Sequence, residues 1–161
     1  MKNIYTVLLL SFGTLFIAQE NYVQINGSTN INNFKCVNNN FRTPTFGKKL
    51  PNIALSVRDF DCKNKVMTAD FQKTLAAENH PYLNVKFISF TKKQAAYSAQ
   101  IEVKMMNKTK TYNIIFNVEK GKLIGSKTVK FSDFNITPPK KMGGMVTVKD
   151  NLNLTFSLDA I

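Results

Sequence analysis

The amino-acid sequence predicts an all-β fold in which about eight antiparallel strands and one short helix form a single domain. Three observations support this prediction. Apolar and polar residues alternate with a period of two along most of the chain after residue 21, short polar segments separate the alternating runs, and a single stretch has helical spacing. One apolar and one polar face per strand is typical of antiparallel sheets with one face in water.

The N-terminal residues have the pattern of a cleaved signal peptide. Lys2 gives a positive start, residues 7–17 are mainly apolar, and the small residue Ala18 precedes the polar Gln19. This run is about a dozen residues long, whereas a membrane-spanning helix needs about 20. We therefore expect residues 1–18 to be removed and residues 19–161 to form a soluble domain that is periplasmic or secreted.

The predicted strands each place a set of apolar residues on one face. In chain order these sets are Ile53, Leu55 and Val57; Val85 and Phe87; Ile101, Val103 and Met105; Tyr112, Ile114, Phe116 and Val118; and Leu152, Leu154, Phe156 and Leu158. A further strand is predicted over residues 125–134. Residues 107–110 and 119–122 are polar connections of hairpin length.

The predicted helix covers residues 66–76. Val66, Ala69, Phe71 and Leu75 recur there at helical spacing, and neither Gly nor Pro interrupts the stretch. Eight short strands and one helix in one domain are compatible with either a closed barrel or a sandwich.

The charge of the chain is strongly positive, because 22 basic residues stand against 10 acidic ones and the net charge is +12. Nucleic acid and anionic membranes both attract such a surface. The export signal and the scattered lysines disfavour nucleic acid as a partner. We expect a solvated basic outer face, with peripheral contact to an anionic membrane surface as the alternative. The sequence leaves the oligomeric state open.

Cysteine and histidine usage restricts the chemistry. Cys36 and Cys62 are the two cysteines, and an even number in an exported protein suggests a disulfide bond. His80 is the one histidine and no Cys-x-x-Cys occurs, so no metal site is expected. Motifs of serine hydrolases, zinc proteases and phosphate-binding loops are absent from the sequence, and we therefore expect no catalytic residues.

Four segments in a fixed order carry a family resemblance. They are residues 25–30; residues 67–71 followed by Leu75 and residues 80–87; residues 107–110; and residues 131–139 followed by residues 144–150. Together they resemble the YceI-like family, in the version common among Bacteroidetes-type sequences. In the third segment, Asn107 stands where the family has the glycine of its Gly-x-Thr-Lys turn. The resemblance implies a lipocalin-like, eight-stranded antiparallel β-barrel in the periplasm that binds polyisoprenoids.

The resemblance and the strand pattern together predict non-catalytic carriage or storage of a long-chain apolar lipid inside the barrel. The ligand expected is a polyisoprenoid or an isoprenoid quinone, with no cofactor. Apolar residues of three predicted strands are the expected lining: Ile101, Val103, Tyr112, Ile114, Phe116, Val118, Leu152, Leu154 and Phe156. A polar end for the head group is expected from Tyr97, Tyr112 or Asn113. The alternative is a structural or interaction module of the envelope with a filled core and a basic outer face.

Overall fold

The structure is a computed structural model and describes residues 20–160. Eight strands form one antiparallel sheet that curls upon itself, and a two-residue strand pairs at its margin. The strands are β1 Tyr22–Thr29, β2 Asn33–Asn38, β3 Asn52–Ser56, β4 Tyr82–Lys93, β5 Ala96–Met105, β6 Lys108–Glu119, β7 Lys122–Lys130, the short β8 Lys140–Lys141 and β9 Val146–Asp159. Their order across the sheet is β2-β1-β9-β7-β6-β5-β4-β3, with β8 paired to β9. The predicted all-β, lipocalin-like fold is confirmed. The predicted signal peptide, residues 1–18, lies outside the described residues.

The predicted helix is confirmed as α1, Lys65–Thr74, between β3 and β4. Its first turn is capped by Asn64, whose side chain accepts a hydrogen bond of 3.0 Å from the backbone N–H of Met67. The helix stops at Leu75, after which Ala76 has a positive φ of 48°. No helix in the described range, α1 included, combines the length and the apolar character that crossing a membrane requires.

The antiparallel register brings the helix, the β1–β2 and β5–β6 turns and the beginning of β9 to the same end of the sheet. We call this the α1 end. At the opposite end lie the β4–β5 and β6–β7 turns. In the β6–β7 turn, Lys120 and Gly121 both have positive φ, which is the conformation a two-residue hairpin prefers.

The two edge strands, β2 and β3, meet at a seam without a continuous ladder. Val37 and Asp61 exchange two backbone hydrogen bonds of 2.9 Å, and the Asn38 side chain donates to the carbonyl of Ser56 at 2.9 Å. Cys36 and Cys62 lie beside these bonds. They are at disulfide-bonding distance, as predicted, and their Cα atoms are 4.0 Å apart. A covalent link and three hydrogen bonds therefore hold the curled sheet at its open edge.

Aromatic side chains fill the middle of the curled sheet. Phe116 is fully buried, and its ring centroid lies 5.8 Å from that of Phe87 and 5.9 Å from that of Phe156. Its ring also covers Gly125 of the neighbouring strand, because a Cβ atom there would lie 2.6 Å from Cδ1 of Phe116. This glycine makes room for the ring.

Two details of the predicted strands are wrong. The strand predicted over residues 125–134 ends at Lys130, and Phe131–Phe134 forms a 3-10 turn. A 3-10 helix has three residues per turn, so Phe131 and Phe134 lie on the same side and are both buried. A strand would place these two side chains on opposite faces. Val57, predicted as the end of a strand, begins the 3-10 turn Val57–Asp59 but remains buried.

The β5–β6 turn also differs from its prediction. The connection predicted at residues 107–110 is shorter, because β6 already begins at Lys108. The residue with positive φ in it is Met106 (50°), so the left-handed position lies one residue before Asn107.

Candidate functional site

A cavity of about 330 Å³ lies at the α1 end, between α1, the β1–β2 hairpin and the beginning of β9. Apolar side chains from all of these elements form most of its wall. They are Phe34, Val66, Met67, Phe71, Phe131, Pro139, Val146 and Val148. The polar members are Thr29, Asn32, Asn64, Asp70, Thr74 and Lys141. We call this space the α1 cavity.

The helix contributes one face to the cavity. Met67 and Phe71 are four residues apart, as are Asp70 and Thr74, and the two pairs are offset by three residues, which places all four on one side of the helix. Phe71 is buried, and its ring centroid lies 5.3 Å from that of Phe60 beneath it. The helix is therefore anchored by Phe71 while Met67 and Thr74 border the cavity.

Phe34 of β2 forms part of the wall, and its ring has room there because its partner in β1 is a glycine. The register pairs Phe34 with Gly27, and the ring lies directly over the glycine Cα. A Cβ atom on Gly27 would lie 2.5 Å from Cε1 and 2.9 Å from Cε2 of this ring, and closer still to Cζ. The position of Phe34, and with it the size of the cavity, thus depends on the absence of a side chain at residue 27.

An ion pair connects the two sides of the cavity. Nζ of Lys141 in β8 lies 2.5 Å from Oδ1 of Asp70 in α1, and both residues line the cavity. The two side chains are 45% and 35% exposed, so solvent screens the pair and it contributes at most about 1 kcal/mol to stability. Such a weak link can open and close readily, which suits a contact at the mouth of a binding cavity.

Hydrogen bonds fix the β1–β2 turn against the beginning of β9. The Asn30 side chain donates to the carbonyl of Met145 at 2.9 Å and accepts from the backbone N–H of Thr147 at 3.0 Å. Within the turn, the hydroxyl of Thr29 accepts hydrogen bonds from the backbone N–H groups of Ile31 and Asn32. This rim of the cavity is therefore ordered by polar contacts from two separate segments.

The α1 cavity contains none of the nine residues predicted to line a binding site. Seven of the nine are buried in the apolar core of the curled sheet: Ile101, Val103, Ile114, Phe116, Leu152, Leu154 and Phe156. The alternation of the sequence correctly placed these side chains inside. It did not show that they pack against one another instead of surrounding a space.

Val118 and Tyr112, the other two, deviate from the predicted lining. Val118 is 47% exposed, because β5 begins only at Ala96, opposite Asn117, and no residue of β5 lies opposite Val118. Tyr112 is half-buried, and its hydroxyl donates a hydrogen bond of 2.8 Å to Asp133. Burial, together with this bond to a carboxylate, raises the pKa of Tyr112 well above its ordinary value.

The residues predicted for a polar head group also lie outside the α1 cavity. Tyr97 stacks on Phe90 with ring centroids 4.7 Å apart, and Asn113 is exposed. Two signals in the sequence point to the actual cavity. One is Gly27 in the middle of an alternating strand, which marks a close approach of another side chain; the other is the row of Met67, Phe71 and Thr74 on the helix.

A curled antiparallel sheet with a helix over one end and an apolar cavity beneath that helix defines a lipocalin-like fold. Comparison with protein families gives the specific assignment: residues 18–160 match the YceI-like domain. This match spans most of the sequence, and the protein belongs to the YceI-like family.

Solved structures share this fold at low sequence identity. BcnA of Burkholderia cenocepacia superimposes with a TM-score of 0.69 at 15% identity, over 88% of this chain and 96% of that chain. The YceI protein of Campylobacter jejuni gives a TM-score of 0.56 at 16% identity, over 99% of this chain and 98% of that chain. No curated protein sequence matches significantly. The structural similarities establish the shared fold.

Proposed function

We propose that the protein is a non-catalytic lipid-binding protein of the cell envelope and that the α1 cavity holds part of an apolar chain. The observation that supports this proposal is the cavity itself, about 330 Å³ in volume and walled mainly by apolar side chains. Cavities that bind small molecules are concave, mostly apolar and carry a few polar groups. The envelope location rests on the predicted signal peptide.

The volume limits how much of a ligand is enclosed. Ligand cavities usually measure about 300–1,000 Å³, so this one lies near the lower bound. Each buried methylene contributes about 0.8 kcal/mol, and a segment of about five methylenes contributes about 4 kcal/mol before the costs of association. The α1 cavity therefore suits the end of an isoprenoid or a similar chain, with the rest of a long lipid leaving through the mouth.

The second candidate is an interaction module of the envelope with a filled core and a basic outer face. The packing of Phe87, Phe116 and Phe156 in the middle of the sheet favours this candidate, because it leaves the interior at these positions filled by side chains. The α1 cavity favours lipid binding. The two candidates therefore make opposite predictions about what the purified protein carries.

Mass spectrometry of organic extracts from protein isolated from its own host tests the proposal. We expect a lipid in stoichiometric amount, whereas an interaction module carries none. In Val148→Trp the indole occupies the cavity, and we expect lipid content to fall. The matched control is Phe116→Ala, a core truncation that costs about 3–5 kcal/mol of stability and leaves lipid content unchanged. Loss of lipid in the control with retention in Val148→Trp would place the ligand elsewhere.

A further inference from the structure

The most exposed large apolar side chains of residues 20–160 lie on segments that border the α1 cavity. They are Ile31 (67% exposed), Val66 (72%), Met142 (68%) and Met145 (68%), and we call these four residues the collar. The other large apolar side chains that are exposed in this range, Ile88 and Ile115 among them, are each no more than 55% exposed. Clustered exposed apolar residues mark interaction sites, whereas single ones are ordinary.

The collar residues adjoin the cavity from three sides. Val66 itself lines the cavity from the first turn of α1. Ile31 lies in the β1–β2 turn between two lining residues, and Met142 and Met145 are each the chain neighbour of a lining residue. Because Asn30 is hydrogen-bonded to the carbonyl of Met145, the turn with Ile31 and the loop with Met145 are directly joined. The four collar residues therefore belong to segments that border the same cavity.

Positive charge accompanies the collar. Lys65 precedes Val66, Lys140 lies in β8 close to Met142, and both lysines are exposed. Neither forms an ion pair with a carboxylate of the described residues. Exposed apolar side chains beside basic ones are the combination that binds the interface of an anionic bilayer, since the apolar groups enter the boundary of the acyl region and the lysines contact phosphates.

We propose that the collar docks onto an anionic lipid bilayer, with the mouth of the α1 cavity directed toward the membrane. This inference rests on the proposed lipid binding, because it assigns the surface through which the lipid enters and leaves. In the docked state an apolar chain passes between the bilayer and the cavity without crossing bulk water. Exposure of a chain to water is the main cost of its transfer.

The protein contains no tryptophan, so a single introduced tryptophan reports on its own position alone. Ile31→Trp places the probe in the collar, and Ile115→Trp places it on the outer wall of β6 as a control. Mature protein is mixed with vesicles of phosphatidylcholine or of phosphatidylcholine with phosphatidylglycerol. We expect a blue shift of the fluorescence only for Ile31→Trp and only with the anionic vesicles. A shift at both positions, at neither, or with both lipids overturns the proposed orientation.

Flotation of the same vesicles separates the two contributions. Met142→Ser with Met145→Ser removes apolar contacts, and Ile88→Ser with Ile115→Ser is the control on the sheet surface. Lys65→Gln with Lys140→Gln is expected to lower the partition coefficient about fivefold per lysine. Lys92→Gln with Lys93→Gln changes the net charge equally at the opposite end and should have a much smaller effect. Equal losses in the two lysine variants would show attraction by net charge alone, and equal losses in the two serine variants would show apolar contact that is not specific to the collar. Either result would overturn docking by the collar.

Binding of a fluorescent fatty acid in solution without vesicles distinguishes this inference from the proposed function. Met142→Ser with Met145→Ser is expected to retain the fluorescent fatty acid while losing vesicle binding. If the unmodified protein binds vesicles but not the fatty acid, the cavity proposal fails and docking stands. If it binds the fatty acid but neither kind of vesicle, as it would when the collar meets another protein, docking fails and lipid binding stands.

Discussion

Gly27→Ala is the sharpest test of the α1 cavity as a binding site, because it changes the cavity without changing a residue that lines it. The new Cβ atom would lie 2.5 Å from Cε1 of the Phe34 ring, which is closer than real contacts allow. Phe34 is half-buried on an edge strand and has the open cavity beside it. The ring can therefore move into the cavity, and we expect it to do so.

The expected magnitudes follow from this movement. Overpacking costs about 1–3 kcal/mol, and the lower value of about 1 kcal/mol applies because the ring has space to enter. A ring that covers about 60 Å² of ligand surface removes about 1.5 kcal/mol of binding free energy, at about 25 cal/mol per Å². We expect Kd for a fluorescent fatty acid to rise about tenfold.

Gly125→Ala is the matched control. Its Cβ atom would lie 2.6 Å from Cδ1 of Phe116 and 3.1 Å from Cδ1 of Ile114, and both of these side chains are buried in the core. The ring of Phe116 has no cavity to enter, so we expect a stability loss near the upper value of about 3 kcal/mol. Fatty acid binding should remain unchanged. Urea denaturation measures the stability loss, and fluorescence titration measures fatty acid binding. Weaker binding in Gly125→Ala with normal binding in Gly27→Ala would refute the assignment of the α1 cavity as the binding site.

Three further predictions concern the seam, the mouth and the opposite end of the sheet. Replacing both Cys36 and Cys62 by serine removes a link across 26 residues of chain, and we expect a loss of about 3–4 kcal/mol in urea denaturation. Asp70→Asn removes the ion pair with Lys141 at the mouth of the cavity. Stopped-flow fluorescence should show faster release of the fatty acid with little change in melting temperature. An unchanged release rate would argue against a role of the ion pair in gating the cavity. Asp159 accepts hydrogen bonds from the side chains of Lys122 and Asn21, and these bonds lower the pKa of Asp159 below its usual value of 3.8. A lowered pKa in the folded state stabilises the protein above the usual carboxyl pKa, and this contribution is lost as pH falls through the folded value. Asp159→Asn should therefore be less stable than the unmodified protein at neutral pH, and melting curves should show the difference shrinking in acid.

Local patterns in the sequence predicted the elements of this protein. The alternation around Phe116 and Phe156 places both side chains inside the sheet, as observed. The spacing of residues 66–76 predicts the helix, whose first turn Asn64 caps in the structure. These features depend on residues a few positions apart in the chain, and neighbouring residues are what periodicity and capping report.

The sequence by itself determined most of the strands, the helix and the inward direction of most apolar side chains, whereas the tertiary structure decided where the interior is filled and where it is open. Phe116 fills the core because Gly125 lies under its ring, and Phe34 borders a cavity whose wall it shares with α1. Both outcomes depend on what the folded chain brings opposite each ring, which is Gly125 of the neighbouring strand in one case and the helix in the other. Alternation shows the face on which a side chain lies but carries no information about what lies opposite it. Seven of the nine predicted lining residues are therefore buried in the core, and the open cavity lies at the α1 end.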